Sequence, residues 1–242
     1  MCTVTFIPSG DKIFLTSNRD EKTRRSPALP PAFYPMRTGN ILFPRDLDGG
    51  GTWFAIHENG NAVVFLNGAW SAHIPNPPYR KSRGLVLLDL IEEENPGTKF
   101  LSADFTSIEP FSAVIWQSGQ LAEGRWDGKE KSFRHLAVSQ PHIWSSVTLY
   151  PKEIALKREK WFAGWLQDNI APSWQDIIDF HLFTGDGDKR NDLLMNRGEG
   201  AFTVSITSLE YGAQTARIKY LDFIKGKTSM VESGISNTMQ YR

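Results

Sequence analysis

The order of strand and helix patterns restricts the folds that this chain can adopt. Short β-rich runs joined by turns occupy both ends of the sequence, and the strongest helical patterns lie between them. Parallel βαβ arrays alternate strand and helix throughout, so this order excludes them. Hairpin-rich blocks with two or three long helices instead predict an α+β fold, in which antiparallel sheets are covered by helices.

The strand patterns predict four hairpins or hairpin-like pairs. The first joins residues 3–7 to 12–17 through the turn cluster Pro8-Ser9-Gly10-Asp11, and a loop rich in proline and arginine follows over 21–35. Gly49-Gly50-Gly51 opens the second hairpin. The later strands are predicted at 52–57 with 61–67, at 112–116 with 120–126, and at 201–209 with 215–223.

Helices are predicted at 83–94, 151–168 and 174–183. Pro151 suits a helix start, and Ser173 with Asp176 resembles a capping box. The first of these helices is expected to end before Pro96. Because we find no repeat and no linker, the sequence predicts a single domain over 1–242, with a polar, flexible tail over 225–242.

Composition excludes several classes of function. Lys and Arg total 27 and Asp and Glu total 27, so no basic surface for nucleic acid or an anionic membrane is expected. No apolar run is long enough for a membrane span, and the first residues lack a secretory signal pattern, which predicts a cytoplasmic protein. One cysteine and five scattered histidines predict neither a disulfide framework nor a metal site. The expected partner is a small molecule, and the oligomeric state stays open.

The single cysteine is the residue that follows the initiator methionine. Removal of Met1 would leave Cys2 with both a thiol nucleophile and a free α-amine, whose pKa near about 7.7–8.0 suits a base. The alternative is a small buried hydrophobic residue without a chemical role.

A charged cluster, Asn18-Arg19-Asp20-Glu21, follows the second predicted strand. If the first two strands form a hairpin, the cluster lies next to Cys2. The guanidinium of Arg19 would then lower the pKa of the thiol, and the carboxylate of Asp20 could orient the α-ammonium group. The alternative is a solvated turn after a strand.

These segments together resemble the NRDE family of transport and Golgi organisation protein 2-like chains. The resemblance rests on Met1-Cys2, on residues 18–21, on Gly50-Gly51-Thr52-Trp53 and on the hairpin that ends at Asn67. The family is similar to the N-terminal-nucleophile hydrolases. The resemblance therefore implies a four-layer αββα sandwich, with two antiparallel sheets between two layers of helices.

The resemblance also implies roles for individual residues. Cys2 would attack an amide, Arg19 and Asp20 would position the thiol, and Asn67 would bind the oxyanion. Asn18 and Ser146 are further candidates around the oxyanion. The chain departs from the family pattern where Trp144-Ser145-Ser146 replaces a Ser-Asn pair and where no arginine follows Tyr211-Gly212 closely.

The leading hypothesis is therefore an amidohydrolase without a cofactor, which cleaves a linear amide of a small molecule through an acyl-thioester on Cys2. The alternative is a non-catalytic carrier of haem or of a lipid-like ligand, because the resemblance implies a link to haem and lipid homeostasis. A structural or interaction domain is the third hypothesis.

Overall fold

A computed structural model of the chain describes residues 3–22, 24–198 and 200–235. Their strands form two antiparallel sheets. The first sheet has the order β10-β1-β2-β11-β12-β13 and consists of β1 (Thr3–Ser9), β2 (Lys12–Glu21), β10 (His142–Ser145), β11 (Phe202–Tyr211), β12 (Thr215–Asp222) and β13 (Lys227–Gly234). The second has its strands in chain order and consists of β3 (Leu29–Met36), β4 (Gly39–Arg45), β5 (Phe54–His57), β6 (Ala62–Asn67), β7 (Phe111–Gln117), β8 (Gln120–Trp126) and β9 (Lys131–Leu136).

Helices cover the outer face of each sheet. Helix α1 (Arg83–Ile91) packs on β5 and β6, and α2 (Pro96–Ser102) packs on β7 and β8. On the other side, α3 (Lys152–Asp168) contacts β10, and α4 (Trp174–Phe183) contacts β2 and β11. The result is the four-layer αββα sandwich that the resemblance implies. None of the helices in the described ranges has the length and hydropathy needed to cross a membrane.

Side-chain alternation along β1 and β2 divides their residues between two cores. Val4, Phe6 and Leu15 belong to the large core, which both sheets share. Ile7 and Phe14 instead belong to a smaller core with residues of α3 and α4. Because neighbouring residues of a strand point to opposite faces, this division fixes the direction of every other side chain in these two strands.

The structure differs from the sequence prediction at the first strand of the second sheet and at the C-terminal tail. Residues 21–35 contain part of β3, whose three prolines are tolerated because it is an edge strand. Within the predicted tail, residues 227–234 form β13, which hydrogen-bonds along the whole of β12. Residues 236–242 lie outside the described residues.

The helix ends follow local capping. Pro96 begins α2 rather than only ending the preceding helix, because the Asn95 side chain accepts a hydrogen bond from the N–H of Thr98. The predicted capping box of α4 is present, with reciprocal bonds between Ser173 and Asp176.

Candidate active site

The Asn18–Glu21 cluster forms the end of β2 and not a turn after it. Asn18, Arg19 and Asp20 are buried, with at most 3% of each residue exposed, because β2 lies between β1 and β11. The alternative of a solvated turn is therefore wrong. β11 pairs with all four residues of this segment and β1 pairs with Asn18, so the polar side chains are held in fixed directions.

Asn18 faces the helical layer of the first sheet. Its side-chain Nδ2 donates to the carbonyl of Leu193 at 2.7 Å, and its Oδ1 lies 2.5 Å from Nδ1 of His181. This side chain fastens β2 to α4. Both ends of the Asn18 amide therefore have partners in the helical layer, and the side chain does not point toward the space between the sheets.

Asp20 also faces the helical layer. The hydroxyl of Tyr150 donates to Oδ2 of Asp20 at 2.7 Å, and the hydroxyl of Thr203 donates to Oδ1. Arg19 and Asp20 therefore point to opposite faces of β2, as adjacent strand residues must. The structure does not bring these two side chains together.

Arg19 points away from the helices, toward the loop that follows β4. Its Nη2 lies 3.0 Å from Oδ2 of Asp46 and 3.6 Å from Oε2 of Glu21. The guanidinium also stacks 4.5 Å from the centre of the Trp53 ring, and only 4% of the side chain is exposed. The charge of Arg19 is thus fixed in position by an anion and by an aromatic face.

Asp46 joins Arg19 to a second arginine. Oδ2 of Asp46 accepts from Nε and Nη2 of Arg25 at 3.0 and 2.7 Å. Burial alone would raise the pKa of Asp46, but the hydrogen bonds from Arg25 and from the N–H of Gly49, together with the charge of Arg19, lower it below its usual value. Asp46 is consequently a carboxylate at neutral pH.

A cleft of about 850 Å³ opens beside Arg19. The end of β2, the loop from Asp46 to Trp53, the end of β6 and the start of α1 form its walls. Glycine is required in one wall, because a Cβ atom on Gly51 would overlap the backbone of Gly84. The glycine run therefore lets the loop approach the helix closely.

Asn67 lines this cleft at the last position of β6. In the described ranges of the chain, its side-chain amide makes no hydrogen bond, whereas its carbonyl accepts from Oγ of Ser146 at 2.9 Å. Ser146 is buried, and its hydroxyl also lies 3.0 Å from that of Thr148. Ser146 thus fixes the backbone of Asn67 and leaves the Asn67 amide available to a ligand.

Cys2, the predicted nucleophile, lies outside the described residues. The first described residue, Thr3, pairs with Asn18 of β2 on one side and with Ser145 of β10 on the other. Its hydroxyl also accepts a hydrogen bond from Nη1 of Arg158, a fully buried arginine of α3. The start of β1 is therefore held by both neighbouring strands and by the helical layer.

Three residues of the cleft were not candidates in the sequence. Asp46 belongs to a loop, and Arg83 and Glu109 are distant in sequence from every motif. Nη2 of Arg83 lies 3.0 Å from Oε2 of Glu109, whose Oε1 is 3.1 Å from Nε2 of His73. The sequence could have indicated Asp46 only through the Asp-Leu-Asp run before the glycines, because aspartates before glycines are typical of turns and binding residues often lie in loops.

The two antiparallel sheets between two layers of helices form the N-terminal-nucleophile hydrolase fold. The chain is similar to the Caenorhabditis elegans N-acylethanolamine-hydrolyzing acid amidase ortholog, with a TM-score of 0.60, 11% identity, and coverage of 86% of this chain and 92% of that one. It is also similar to a mutant of the conjugated bile acid hydrolase from Clostridium perfringens, with a TM-score of 0.54, 12% identity and coverage of 96% of both chains.

The chain belongs to the transport and Golgi organisation 2 family, whose model matches residues 1–214. No curated protein matches the sequence. The resemblance to this family and the sandwich fold that it implies are thus confirmed. At 11–12% identity, the solved structures support the fold and not a shared substrate.

Proposed function

We propose that the protein is a cysteine N-terminal-nucleophile amidohydrolase that cleaves a linear amide of a small molecule through an acyl-thioester on Cys2. The observation that carries this proposal is the pairing of β1 with both of its neighbours. Thr3 pairs with Asn18 and with Ser145. If both registers continued by one residue, position 2 would lie opposite Arg19 and Ser146.

The alternation of side chains along a strand supports the same position for the nucleophile. Val4 and Phe6 of β1 face the space between the sheets, and Cys2 precedes Val4 by two positions, the spacing at which strand residues share a face. Arg19 faces this side of β2 as well, at the wall of the cleft. A thiol beside this guanidinium would have a lowered pKa.

The proposed reaction has two steps. The α-amine of Cys2 takes the proton of the thiol, and the thiolate adds to the amide carbonyl. The side-chain N–H of Asn67 donates to the oxyanion, the C–N bond breaks, and the leaving amine takes the proton from the α-ammonium group. Water then hydrolyses the thioester, which releases the acid and restores the thiol.

In this proposal Asp20 orients the α-ammonium group of Cys2, and its carboxylate also accepts from the hydroxyls of Tyr150 and Thr203. The remaining candidates act indirectly. Asn18 fixes β2 to α4. Ser146 holds the carbonyl of Asn67. A reducing compartment such as the cytoplasm, which the sequence predicts, would keep Cys2 as a free thiol.

The carrier hypothesis finds less support for haem than for an anionic ligand. Among the described residues that line the cleft there is no histidine and no methionine, and the hydroxyl of Tyr79 already accepts from the N–H of Asn76. Charged side chains dominate the lining. The described residues therefore do not fit a haem group well.

The test combines intact mass measurement with an amide substrate panel. The proposal predicts that Met1 is absent from the mature chain and that a substrate adds the mass of its acyl group to the protein before turnover. Cys2→Ala should abolish both the adduct and the release of amine. A chain with one extra residue before Cys2 keeps the thiol but lacks the α-amine, and it should be inactive for that reason.

Asn67 provides the second arm of the test. Asn67→Ala should lower kcat by about 10²–10³ with little change in KM, because the donor acts on the oxyanion. Asn76→Ala is the matched control, since Asn76 is an exposed asparagine of the following loop that does not line the cleft. A mature chain that retains Met1 and forms no adduct with any amide would overturn the proposal and leave the carrier.

A further inference from the structure

The cleft beside Arg19 carries more basic than acidic side chains. Six basic residues line it, namely Arg19, Lys22, Arg24, Arg25, Lys81 and Arg83. Four acidic residues line it, namely Glu21, Asp46, Asp48 and Glu109. Walls of low dielectric focus such an excess of charge into the cavity and raise the local concentration of anions.

The two most enclosed acidic groups are already shared between pairs of bases. Asp46 contacts both Arg19 and Arg25, and Glu109 contacts both Arg83 and His73. The negative charges of Asp46 and Glu109 are therefore offset by these neighbouring side chains. Glu21 also contacts Arg19 and Arg25, and Lys81 pairs with Asp89. Among the described residues, the lining bases without a carboxylate partner are therefore Lys22 and Arg24.

Two of the basic residues, Lys22 and Arg24, are exposed at the rim. Neither makes a salt bridge to a described residue, although both line the cleft. Unlike Arg19 and Arg25, they have no carboxylate in the described ranges that fixes their charge. Their ammonium and guanidinium groups can therefore turn toward an anion in the cleft.

Arg83 supplies a positive charge deeper in the cleft. Only 19% of its side chain is exposed, and burial lowers its pKa although Glu109 opposes this effect. Its Nη1 donates to the carbonyl of Pro110 at 3.1 Å, and the same carbonyl accepts from the N–H of Gly68 at 3.0 Å. Gly68 follows Asn67, so one carbonyl joins the guanidinium to the backbone next to the proposed oxyanion donor, and both side chains line the cleft.

Arg83 has unused donors in this position. A guanidinium carries five N–H groups, and among the described residues the contacts to Pro110 and Glu109 use two of them. The remaining donors match the oxygens of a carboxylate or a phosphate, which arginine binds with two parallel hydrogen bonds.

We propose that the cleft selects substrates that carry an anionic oxygen group, with Arg83 as the inner contact and Lys22 and Arg24 as the contacts at the rim. This inference rests on the proposed amidohydrolase function and names its substrate class. The shared chemistry is that of a carboxylate or phosphate on the amide substrate.

The test compares two thiol reagents of nearly equal size, anionic iodoacetate and neutral iodoacetamide. Cys2 is the only cysteine, so intact mass reports a single reaction. Relative to the chain unfolded in urea, the folded chain should favour iodoacetate over iodoacetamide by about tenfold at low salt, and the preference should fall as salt is added.

Charge variants distinguish the cleft from the protein as a whole. The double variant Lys22→Glu with Arg24→Glu should remove most of the preference, whereas Lys160→Glu, on the exposed side of α3, should keep it. Arg83→Gln should also lower the preference, and Arg83→Lys should retain only the part that the charge supplies, because lysine cannot make the two parallel hydrogen bonds. Thermal unfolding of each variant checks that the fold is intact.

The outcomes separate this inference from the function on which it rests. Rapid labelling by iodoacetamide without preference for iodoacetate would overturn the anion selection alone. Failure of both reagents to label the folded chain would overturn the amidohydrolase proposal too. Protection of Cys2 by succinate identifies a carboxylate, protection by inorganic phosphate identifies a phosphate, and protection by neither contradicts the inference.

Discussion

Acid should destabilise this protein through His181, the histidine of α4 that ties the helical layer to the first two strands. His181 is fully buried, with Nε2 at 2.8 Å from Oγ1 of Thr5 and Nδ1 at 2.5 Å from Oδ1 of Asn18. Burial and, to a lesser extent, the positive charge of Arg158 lower the pKa of His181 to about 3. The folded protein therefore keeps this ring neutral over the whole range in which a free histidine gains a proton.

The size of the effect follows from the difference between the two states. In the unfolded chain the pKa of histidine is about 6.5, so below this pH the unfolded state binds a proton that the folded state does not. The contribution to stability is complete above about pH 6.5 and is lost as the pH falls toward 3, by about 1.4 kcal/mol per pH unit. Between about pH 7 and pH 5 the loss amounts to about 2 kcal/mol.

The assay is urea unfolding at these two pH values for the natural chain and for His181→Gln. Glutamine has an amide in place of the ring and does not titrate, so the variant should lose about 2 kcal/mol less than the natural chain over this interval. His135→Gln, at an exposed histidine, is the matched control and should follow the natural chain. Parallel pH profiles for all three proteins would refute the reasoning.

Three further predictions concern the walls of the cleft. Asp46→Asn should reduce the free energy of unfolding, measured by urea denaturation, by about 3 kcal/mol, because the buried Arg19 then lacks its nearest anion. An effect below about 1 kcal/mol would contradict this role. Ser146→Ala should cost about 1–3 kcal/mol in the same assay, since a buried carbonyl loses its donor, and unchanged stability would argue against that bond. Gly51→Ala should lower the stability by about 1–3 kcal/mol, because the added Cβ atom would overlap the backbone of α1. Gly164→Ala, at an open helix position, should instead raise the stability by about 0.5–1 kcal/mol. Equal thermal shifts for the two variants would disprove the close approach of Gly51 to α1.

The strands of the first hairpin illustrate what local patterns can predict. Residues 3–7 and 12–17 were correctly assigned to strands, because β-branched and aromatic residues flank a turn cluster. The pattern did not extend the second strand through Asn18–Glu21, since four polar residues in a row are typical of a turn. They belong to the strand because partners elsewhere in the chain satisfy them, among them His181 and Tyr150.

The same limit applies to the candidate site. The resemblance named Arg19 and Asn67, and the structure places both at the wall of one cleft. It also named Asp20, whose side chain lies on the face of β2 opposite to that of Arg19, because neighbouring strand residues alternate. Arg83 gave no signal in the sequence, because its relation to Asn67 depends on a carbonyl that precedes a different strand.

By itself, the sequence determined the antiparallel class, the capping box of α4 and the family, because turns, caps and motifs are encoded by neighbouring residues. The tertiary structure alone decided which polar groups are buried together, such as Asp46 with Arg19, and which face of β2 each side chain occupies. The physical reason is that burial and charge pairing depend on contacts between residues far apart in the chain, which no local pattern contains.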